Sequence, residues 1–503
     1  MENITNKQLI EQKVKELSSE FNYENNRTAI ILSAGHGKRI KSGTSKMLHQ
    51  IWGKATVERV YNACVAGLSN FNSRIVVGIK ALDVMELFGN RPNNSFAYQA
   101  EQNGTGHAVQ IGLSGIDAGK YNGTVLVLPG DMGLIDGESI RSFVEDFENS
   151  NSDMMVLTGL FEGKAERNNY GRIVRVPKTD AEGNDSGKDF GKVIEIIEHK
   201  DILSLNDDET HDVVFNGRNY SFTKKELIEN NEFNSGVFAF DFKHLYKLIF
   251  QIKNNNAQGE IYLTDMISLF NQNGLTVSAV SPDKQYALMG FNDKTVLKQM
   301  NSLARKLVYN KLKNIVEIAD PEDFFIADNV VGQILDADKK GTLLDMFVGK
   351  GVFIGENVKI NTNLTLMRDV CVKGNVQFGK NVTVMENAHL SCFEGQTLKI
   401  GNNSQIFWGN IIKGETTIGS NCKIESSVNM TGSSEFPLSI GDNVTIKGSS
   451  YIFGSTIEDN VFIEHSVLIK KKIKGGSEDA LTQIKFVLPK PEGEEFITTI
   501  FKK

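Results

Sequence analysis

Short apolar runs alternate with segments of helical periodicity between residues 28 and 290. A short apolar run that ends in polar turn residues predicts a buried strand, whereas apolar residues three or four positions apart predict a helix. Strands that alternate with helices are typical of a mostly parallel sheet with helices on both faces, so we predict an α/β domain here. The predicted strands are 28–32, 74–79, 95–99 and 124–128, and the predicted helices between them are 56–67 and 106–113.

The hydrophobic pattern changes near residue 350, where aliphatic residues begin to recur every six positions. A fixed aliphatic period is typical of a solenoid, in which each short strand turns one side chain inward. The pattern resembles the left-handed parallel β-helix of hexapeptide-repeat acyltransferases, in which three such strands complete a coil. That resemblance implies a homotrimer assembled through the β-helix. The recurring residues run from Ile354, Ile360 and Leu366 through Ile400, Ile406 and Ile412 to Ile457, Ile463 and Ile469.

These patterns divide the chain into five predicted segments. Apolar residues fall on one helical face in the segments on either side of the α/β domain. They predict an N-terminal helix before that domain and, after it, a helix that connects the two domains. The polar stretch 201–231 is predicted to be an insertion, either a surface excursion or a lid. The predicted segments are an extension at 1–27, an α/β domain at 28–293, a connector at 294–349, a β-helix at 350–470 and a tail at 471–503.

Composition narrows the classes of partner. The 503 residues carry a net charge of −7, which argues against broad nucleic-acid binding. The four cysteines lack metal-ligand spacing and indicate a reducing compartment, and no apolar run is long enough to span a membrane. The polar N-terminus lacks the apolar core of a signal peptide. We therefore expect a cytoplasmic protein that binds neither nucleic acid nor membrane.

A glycine-containing loop follows the first predicted strand. It begins at Leu32-Ser33-Ala34-Gly35, continues through Gly37 and is followed by Arg39 and Lys46. Such a loop lets backbone N–H groups approach phosphate oxygens, and the two cations can neutralise charge that develops during phosphoryl exchange. The spacing matches neither a P-loop nor the dinucleotide-binding fingerprint. The loop therefore predicts a phosphate site of another kind.

The loop resembles the signature of sugar-1-phosphate nucleotidyltransferases, in which leucine, alanine, two glycines, arginine and lysine occupy matching positions. Four further segments occur in the order and spacing of the uridylyltransferase half of the bacterial bifunctional enzymes that make UDP-N-acetylglucosamine. The resemblance covers residues 28–318 and implies a Rossmann-like nucleotidyltransferase domain. The four segments are Gln99–Ala108, Leu126–Ile135, Tyr170–Ile173 and Asn254–Asp265.

This resemblance implies transfer of a uridylyl group from UTP to N-acetylglucosamine 1-phosphate, with Mg²⁺ as cofactor. It implies Arg39 and Lys46 as catalytic residues, and Asp131 and Asn292 as metal ligands. From the residues alone, Asp131 can also be a helix N-cap, and the two cations can form surface salt bridges. The other substrate-binding residues implied are Leu32, Ser33, Ala34, Gly35 and Gly130, then Gln99, Gly104 and Thr105 for the base, and Gly171, Glu198 and Asn234 for the sugar.

Some positions depart from the family pattern. Ser45 replaces the proline before the signature lysine, which we expect to loosen that loop. His107 is expected to have a structural role, because the attacking phosphate is already ionised and needs no general base. The β-helix lacks the Asn-Tyr-Asp-Gly sequence of the acetyltransferase half, so we predict that acetyl transfer is absent. The alternatives are another sugar 1-phosphate as substrate, or a non-catalytic trimeric scaffold that binds nucleotide sugars.

Overall fold

The computed structural model describes residues 6–35, 37, 40–254, 256, 258–477 and 479–489. The chain forms two compact units, residues 1–300 and 301–503. No helix in the described ranges is both long and apolar enough to cross a membrane. The helices are α1 (Asn6–Leu17), α2 (Thr56–Gly67), α3 (Ala81–Phe88), α4 (Thr105–Leu113), α5 (Gly137–Asn149), α6 (His199–Ser204), α7 (Lys224–Glu229), α8 (Phe242–Leu248), α9 (Met266–Gln272), α10 (Lys294–Leu312) and α11 (Asp328–Lys339).

The first unit is built around one mixed sheet in the order β13-β7-β12-β6-β1-β4-β5. The neighbours β6, β1, β4 and β5 are parallel, and β12 runs antiparallel to β6 and β7. Its strands are β1 (Arg27–Ser33), β4 (Phe71–Val77), β5 (Asn94–Tyr98), β6 (Thr124–Pro129), β7 (Met154–Leu160), β8 (Arg172–Arg175), β9 (Val193–Ile197), β12 (Glu232–Asp241) and β13 (Val277–Val280); two hairpins, β2 (Gln50–Ile51) with β3 (Lys54–Ala55) and β10 (Thr210–Phe215) with β11 (Arg218–Thr223), lie outside it.

Both faces of this sheet are buried, as strand–helix alternation predicts. Along β1, Ala29 and Ile31 pack into one hydrophobic cluster, and Ile30 packs into the other on the opposite face. This follows from the two-residue side-chain period of a strand, and it explains why β1 is apolar throughout. The α/β fold class is confirmed.

The insertion predicted at 201–231 forms α7 and the β10–β11 hairpin. Phe215, Tyr220 and Leu227 from it pack with residues of β8 and β9 in a separate small hydrophobic cluster. The insertion therefore packs onto β8 and β9 through a hydrophobic cluster that both sides share.

The second unit is a stack of short parallel strands in three sheets, and the predicted left-handed parallel β-helix is confirmed. The first sheet contains Glu317–Ile318, Phe347–Val348, Thr365–Leu366, Thr383–Val384, Gln405–Ile406, Lys423–Ile424, Thr445–Lys447, Val461–Glu464 and Thr482–Lys485; the second contains Phe324–Ile326, Val352–Ile354, Cys371–Lys373, His389–Ser391, Ile411–Gly414, Asn429–Gly432, Tyr451–Phe453 and Val467–Ile469; the third contains Val376–Phe378, Leu398–Ile400, Thr416–Ile418, Leu438–Ile440, Thr456–Ile457 and Lys472–Ile473.

Aliphatic side chains fill the β-helix, but the six-residue period fails at its two ends. Val358 and Leu468 are buried there, whereas Ile360 is half-buried and Ile469 is 45% exposed. Leu468 is buried in place of Ile469 because the coil there is shorter. Leu468 pairs with Ile452, which is sixteen residues earlier, whereas three hexads require eighteen residues. Strands that come before residue 350 and after residue 470 in the chain also belong to these sheets.

One corner of the β-helix carries a repeated asparagine whose backbone is left-handed, with φ between 55° and 58°. Asparagine tolerates this conformation better than other side chains that have a Cβ. Each amide but the last also donates to the next amide along the coil axis at 2.8–3.2 Å, and the last, Asn460, donates to Gly476 O. We call this set the asparagine ladder; its members are Asn363, Asn381, Asn403, Asn421, Asn443 and Asn460.

Candidate active site

A cavity of about 700 Å³ opens in the first unit at the carboxyl ends of its parallel strands. Leu32 near the end of β1 pairs with Pro129 at the end of β6, so the loops that follow both strands share one edge. This is the edge at which open α/β sheets bind ligands. The predicted site residues that line the cavity are Leu32, Ala34, Gly35, Lys46, Gln99, Gly104, Thr105, Asp131, Glu198, Asn234 and Asn292.

The charged centre of the cavity is Lys46. Its Nζ donates to Asp131 Oδ2 at 2.5 Å and to Asn292 Oδ1 at 2.9 Å, and it lies 5.4 Å from the centre of the Phe291 ring. The Lys46 and Asp131 side chains are only 10% and 15% exposed, so this is not an ordinary surface salt bridge. The N-cap of the following helix α5 is Asp136, which leaves Asp131 free of that alternative role.

Ser45 positions Lys46 at the start of a short 3-10 turn, Lys46–Leu48. The Ser45 hydroxyl accepts a hydrogen bond from the Met47 N–H at 3.4 Å, and its φ of −53° is close to the value that a proline ring imposes. We expected the replacement of proline to loosen this loop. The serine has a proline-like φ and caps the turn, and the expected loosening stays a prediction.

The Asp131 carboxylate and the Asn292 amide oxygen already converge on a single cation. Carboxylate and amide oxygens are the ligand types that hard divalent cations such as Mg²⁺ accept, so the residues present fit such an ion. Within the described ranges, no group of three or more acidic, histidine or cysteine side chains is arranged to hold a metal.

Gln99 follows β5 and is almost fully buried at 2% exposure. Its Nε2 lies 3.3 Å from Gly104 O and 3.1 Å from His107 Nδ1 on α4. Gly104 has a φ of 104°, and a Cβ there would lie 2.5 Å from Ile261 O. Only glycine combines that conformation with so close a backbone approach. Thr105 begins α4, and its hydroxyl accepts from the Leu263 N–H at 3.1 Å.

Glu198, Gly171 and Asn234 lie together, although they come from three segments. The Asn234 N–H donates to Gly171 O at 2.9 Å, and a Cβ on Gly171 would lie 3.3 Å from both Glu198 carboxylate oxygens. Burial, together with the nearby charges of Asp201, Asp265 and Glu260, raises the pKa of Glu198 to about 7. Near neutral pH this carboxyl group can therefore donate as well as accept hydrogen bonds.

Three predicted residues lie beside the cavity instead of in its lining. Ser33 is buried in β1, and its hydroxyl lacks a partner among the described residues. Gly130 lies against it, where a Cβ would be 2.7 Å from Ser33 Oγ. Gly171 packs behind Glu198, as described above. Arg39, the other implied catalytic residue, lies outside the described residues, as do His36 and Lys38.

The cavity also includes residues to which the sequence analysis assigned no role. Lys200 Nζ donates to Gln258 Oε1 at 2.5 Å, and Gln258 Nε2 donates to Tyr262 Oη at 2.5 Å. Lys200 lies two residues after Glu198, and Gln258 lies in the segment Asn254–Asp265 that carried the resemblance. The remaining lining residues without an assigned role include Gln102, Glu260 and Thr264.

Comparison with known proteins agrees with this geometry. Residues 29–165 match the family model of the MobA-like NTP transferase domain. The chain is 31% identical over 371 residues to the protein of Geobacillus sp. (strain WCH70) named Bifunctional protein GlmU, and the match covers 72% of each chain. The chain belongs to the GlmU family. This membership confirms the resemblance found in the sequence.

A second GlmU protein, from Clostridium tetani, is 34% identical over 305 residues. That match covers 60% of this chain and 58% of the Clostridium protein, which is less than two thirds of the relative. The similarity to this GlmU relative therefore concerns part of its length.

Proposed function

We propose that the chain is a UDP-N-acetylglucosamine pyrophosphorylase, which transfers uridylyl from UTP to N-acetylglucosamine 1-phosphate and releases pyrophosphate. The observation that carries this proposal is the contact of Lys46 with Asp131 and Asn292 inside a cavity that Gln99, Glu198 and Asn234 also line. Membership of the GlmU family supports the same reaction class. A cation, two oxygen ligands and neutral polar groups suit a pair of anionic substrates that each carry a polar ring.

In the proposed reaction, a phosphate oxygen of the sugar 1-phosphate attacks the α-phosphorus of UTP in line. The bond between the α-phosphorus and the bridging oxygen breaks, and that oxygen leaves with pyrophosphate. The protein contributes by holding the two anions together and by stabilising negative charge in the transition state. Lys46 supplies that stabilisation at the α-phosphate, and Arg39 contacts the triphosphate. Leu32, Ala34 and Gly35 line the cavity where the phosphates are proposed to bind, and Ser33 and Gly130 lie beside it.

Asp131 and Asn292 are the residues that would hold Mg²⁺. When bound, the ion neutralises phosphate charge and orients the phosphate oxygens. The oxygens of both residues accept hydrogen bonds from Lys46.

Recognition of the base is proposed for Gln99, Gly104 and Thr105, and recognition of the N-acetyl sugar for Gly171, Glu198 and Asn234. Gly104 supports this because it brings backbone close to the cavity beside the Gln99 amide. The Glu198 carboxyl group, with its raised pKa, suits a sugar hydroxyl or amide because it need not be charged. The Asn234 amide lies at the same part of the cavity.

The β-helix is proposed to serve assembly as a homotrimer, without acetyl transfer. Apolar side chains on the outside of its second sheet support this, since Ile411 and Tyr451 are about 40% exposed and Phe325 stacks on Phe353 at 4.6 Å. In the described part of the β-helix, neither His389 nor His465 pairs with a carboxylate. His465 instead stacks on Phe486 at 5.6 Å.

Sedimentation equilibrium tests the assembly. We expect three times the 55.7 kDa mass of one chain, and a shift towards one chain when Ile411→Glu and Tyr451→Glu are combined. A monomeric wild-type protein would contradict the trimer.

Pyrophosphate release by purified protein tests the reaction. The assay contains Mg²⁺ and UTP with a panel of sugar 1-phosphates, and a parallel assay follows free thiol from acetyl-CoA with glucosamine 1-phosphate. We expect pyrophosphate with N-acetylglucosamine 1-phosphate and no thiol. Thiol release would refute the absence of acetyl transfer, a preference for another sugar would change the substrate, and no release in either assay would favour a non-catalytic scaffold.

A further inference from the structure

The side-chain amide of Gln99 has both of its N–H groups engaged by the protein. Nε2 lies 3.3 Å from Gly104 O and 3.1 Å from His107 Nδ1. A backbone carbonyl can only accept a hydrogen bond, so the atom of the amide that faces Gly104 O must be the nitrogen. The neighbouring carbonyl therefore fixes the orientation of this amide.

That orientation determines the state of His107. The second Nε2 hydrogen of Gln99 is directed at His107 Nδ1, which must then accept and cannot carry a proton. His107 does not line the cavity, so it acts on any ligand there through Gln99.

The amide oxygen is the atom that remains. Among the described residues, no group donates to Gln99 Oε1, and Gln99 lines the cavity although its side chain is almost wholly buried. We propose that His107 is a positioning residue that makes Gln99 a pure hydrogen-bond acceptor, so that the site selects a pyrimidine with a ring N–H. This inference rests on the proposed function, because it assumes that a nucleobase binds at Gln99.

The consequence for base choice follows from the chemistry of the two pyrimidines. Uracil carries a hydrogen on N3 and can donate to Gln99 Oε1, whereas N3 of cytosine has a lone pair and would face the oxygen without a hydrogen between them. A site built around one hydrogen bond discriminates strongly against a ligand that leaves its polar group unpaired. Without His107, the amide is free to rotate and to offer its NH₂ group to cytosine.

The experiment compares UTP and CTP on the full-length protein by isothermal titration calorimetry with Mg²⁺, and by KM and kcat for pyrophosphate release. His107→Leu removes the acceptor at Nδ1. His107→Asn restores it, because the asparagine oxygen lies near the position of Nδ1. Gln110→Leu is the matched control, since Gln110 lies one turn further along α4 and donates to Ile249 O, away from the cavity.

We expect His107→Leu to weaken UTP binding and to reduce the UTP/CTP preference by about tenfold each, the scale of one hydrogen bond. KM for UTP should rise by a similar factor, with kcat within about twofold. His107→Asn should recover the UTP/CTP ratio to within about threefold, and Gln110→Leu should leave it unchanged.

An unchanged UTP/CTP ratio in a folded His107→Leu protein would overturn the inference, and so would His107→Asn showing the same loss as His107→Leu. If His107→Leu does not fold, His107→Gln replaces it, because a glutamine amide reaches the position of Nε2 instead of Nδ1. Failure of the proposed function is distinguishable, because then the wild-type protein itself would bind no UTP.

Discussion

The sheet domain and the β-helix are both built from short parallel strands, but they differ in how often each local arrangement is used. In the β-helix the same left-handed corner recurs, with six asparagines at nearly the same φ. In the sheet domain each cavity residue occurs once and comes from a different strand end or loop, as Lys46, Asp131 and Asn292 do. A change at a residue that lines the cavity should therefore remove function with little loss of stability, and a change at a backbone contact between coils of the β-helix should do the reverse.

The largest expected effect is that of Asp131→Asn. It removes the carboxylate that Lys46 contacts and that is proposed to hold Mg²⁺. We expect pyrophosphate release to fall about a hundredfold or more, because stabilisation of phosphate charge is lost. The thermal unfolding midpoint by circular dichroism should change little, since the variant keeps the shape of the side chain.

Asp136→Asn is the matched control for that change. Asp136 is five residues further along and caps α5 by accepting from the Ser139 N–H at 2.9 Å, but it does not line the cavity. Asparagine caps a helix about as well as aspartate, so this variant should keep the cap and lose only the ion pair with Lys284 at 2.9 Å. Its stability should change by less than about 1 kcal/mol, and it should keep its activity. Equal activity of wild type and Asp131→Asn would refute the metal assignment.

Gly414→Ala is the corresponding change in the β-helix. Gly414 has a φ of 79°, and a Cβ there would lie 1.8 Å from Gly432 O in the next coil. We expect the free energy of unfolding of this unit to fall by about 2–4 kcal/mol in urea titrations, from backbone strain and displacement of the neighbouring coil. Pyrophosphate release at 25 °C should persist.

The exposed Thr417→Ala variant is the control for Gly414→Ala, because it changes an outward side chain of the third sheet. Its stability should stay within about 0.5 kcal/mol of wild type. If Gly414→Ala abolished pyrophosphate release while the first unit stayed folded, the separation of function from stability would be wrong.

Most of the fold could be predicted from hydrophobic period alone. The predicted helix 56–67 has the bounds of α2, and the predicted strand 124–128 differs from β6 by one residue. These elements are buried on defined faces, so their pattern records their environment. The period misled at the two ends of the β-helix, at Ile360 and at Ile469. At Ile469 the cause is a shorter coil, which moves a different residue inward.

The candidate site was less predictable, because its contacts join residues that are distant in the chain. Family motifs pointed to Lys46, Asp131 and Asn292, but the hydrogen bonds that bring them together span 85 and 246 residues. No local pattern records that Lys200 contacts Gln258, or that His107 contacts the Gln99 amide. These contacts depend on how the loops return to one edge of the sheet.

Glu198→Gln tests whether the sheet domain gives up stability for its site. The pKa of Glu198 is about 7 in the folded protein and about 4.5 for an ordinary glutamate, so the folded state holds a proton that the unfolded chain releases. The contribution of Glu198 to stability is thus complete below pH 4.5 and is lost as pH rises through 7. Glutamine cannot ionise and escapes this loss.

We therefore compare the free energy of unfolding of Glu198→Gln with that of wild type at two pH values. The difference, variant minus wild type, should be larger at pH 8 than at pH 5 by roughly 1–3 kcal/mol. Urea titrations at both pH values measure it. Pyrophosphate release should fall in the same variant, which would show that the destabilising residue is the functional one. A difference that is the same at both pH values would mean that Glu198 does not titrate in this range.

The smallest expected effect separates the two roles of the asparagine ladder. Asn421 donates to Asn443 at 3.2 Å and accepts from Asn403 at 3.1 Å, with a φ of 55°. Asn421→Gly removes both hydrogen bonds but tolerates the backbone, whereas Asn421→Ala removes them and adds left-handed strain. Because the ladder is exposed, the hydrogen bonds should be worth about 0.5 kcal/mol and the strain about 1 kcal/mol more.

Asn421→Ala should therefore unfold at a lower urea concentration than Asn421→Gly, and both variants should keep wild-type pyrophosphate release. Equal stability of the two variants would mean that the backbone conformation costs nothing and that the amides alone explain the repeat. If Asn421→Gly is instead as stable as wild type, asparagine recurs at this corner because it tolerates the left-handed backbone. The hydrogen bonds between the amides would then add no stability. In either case, one asparagine among six should cost the β-helix far less than Asp131 costs the cavity, because its neighbours repeat its role.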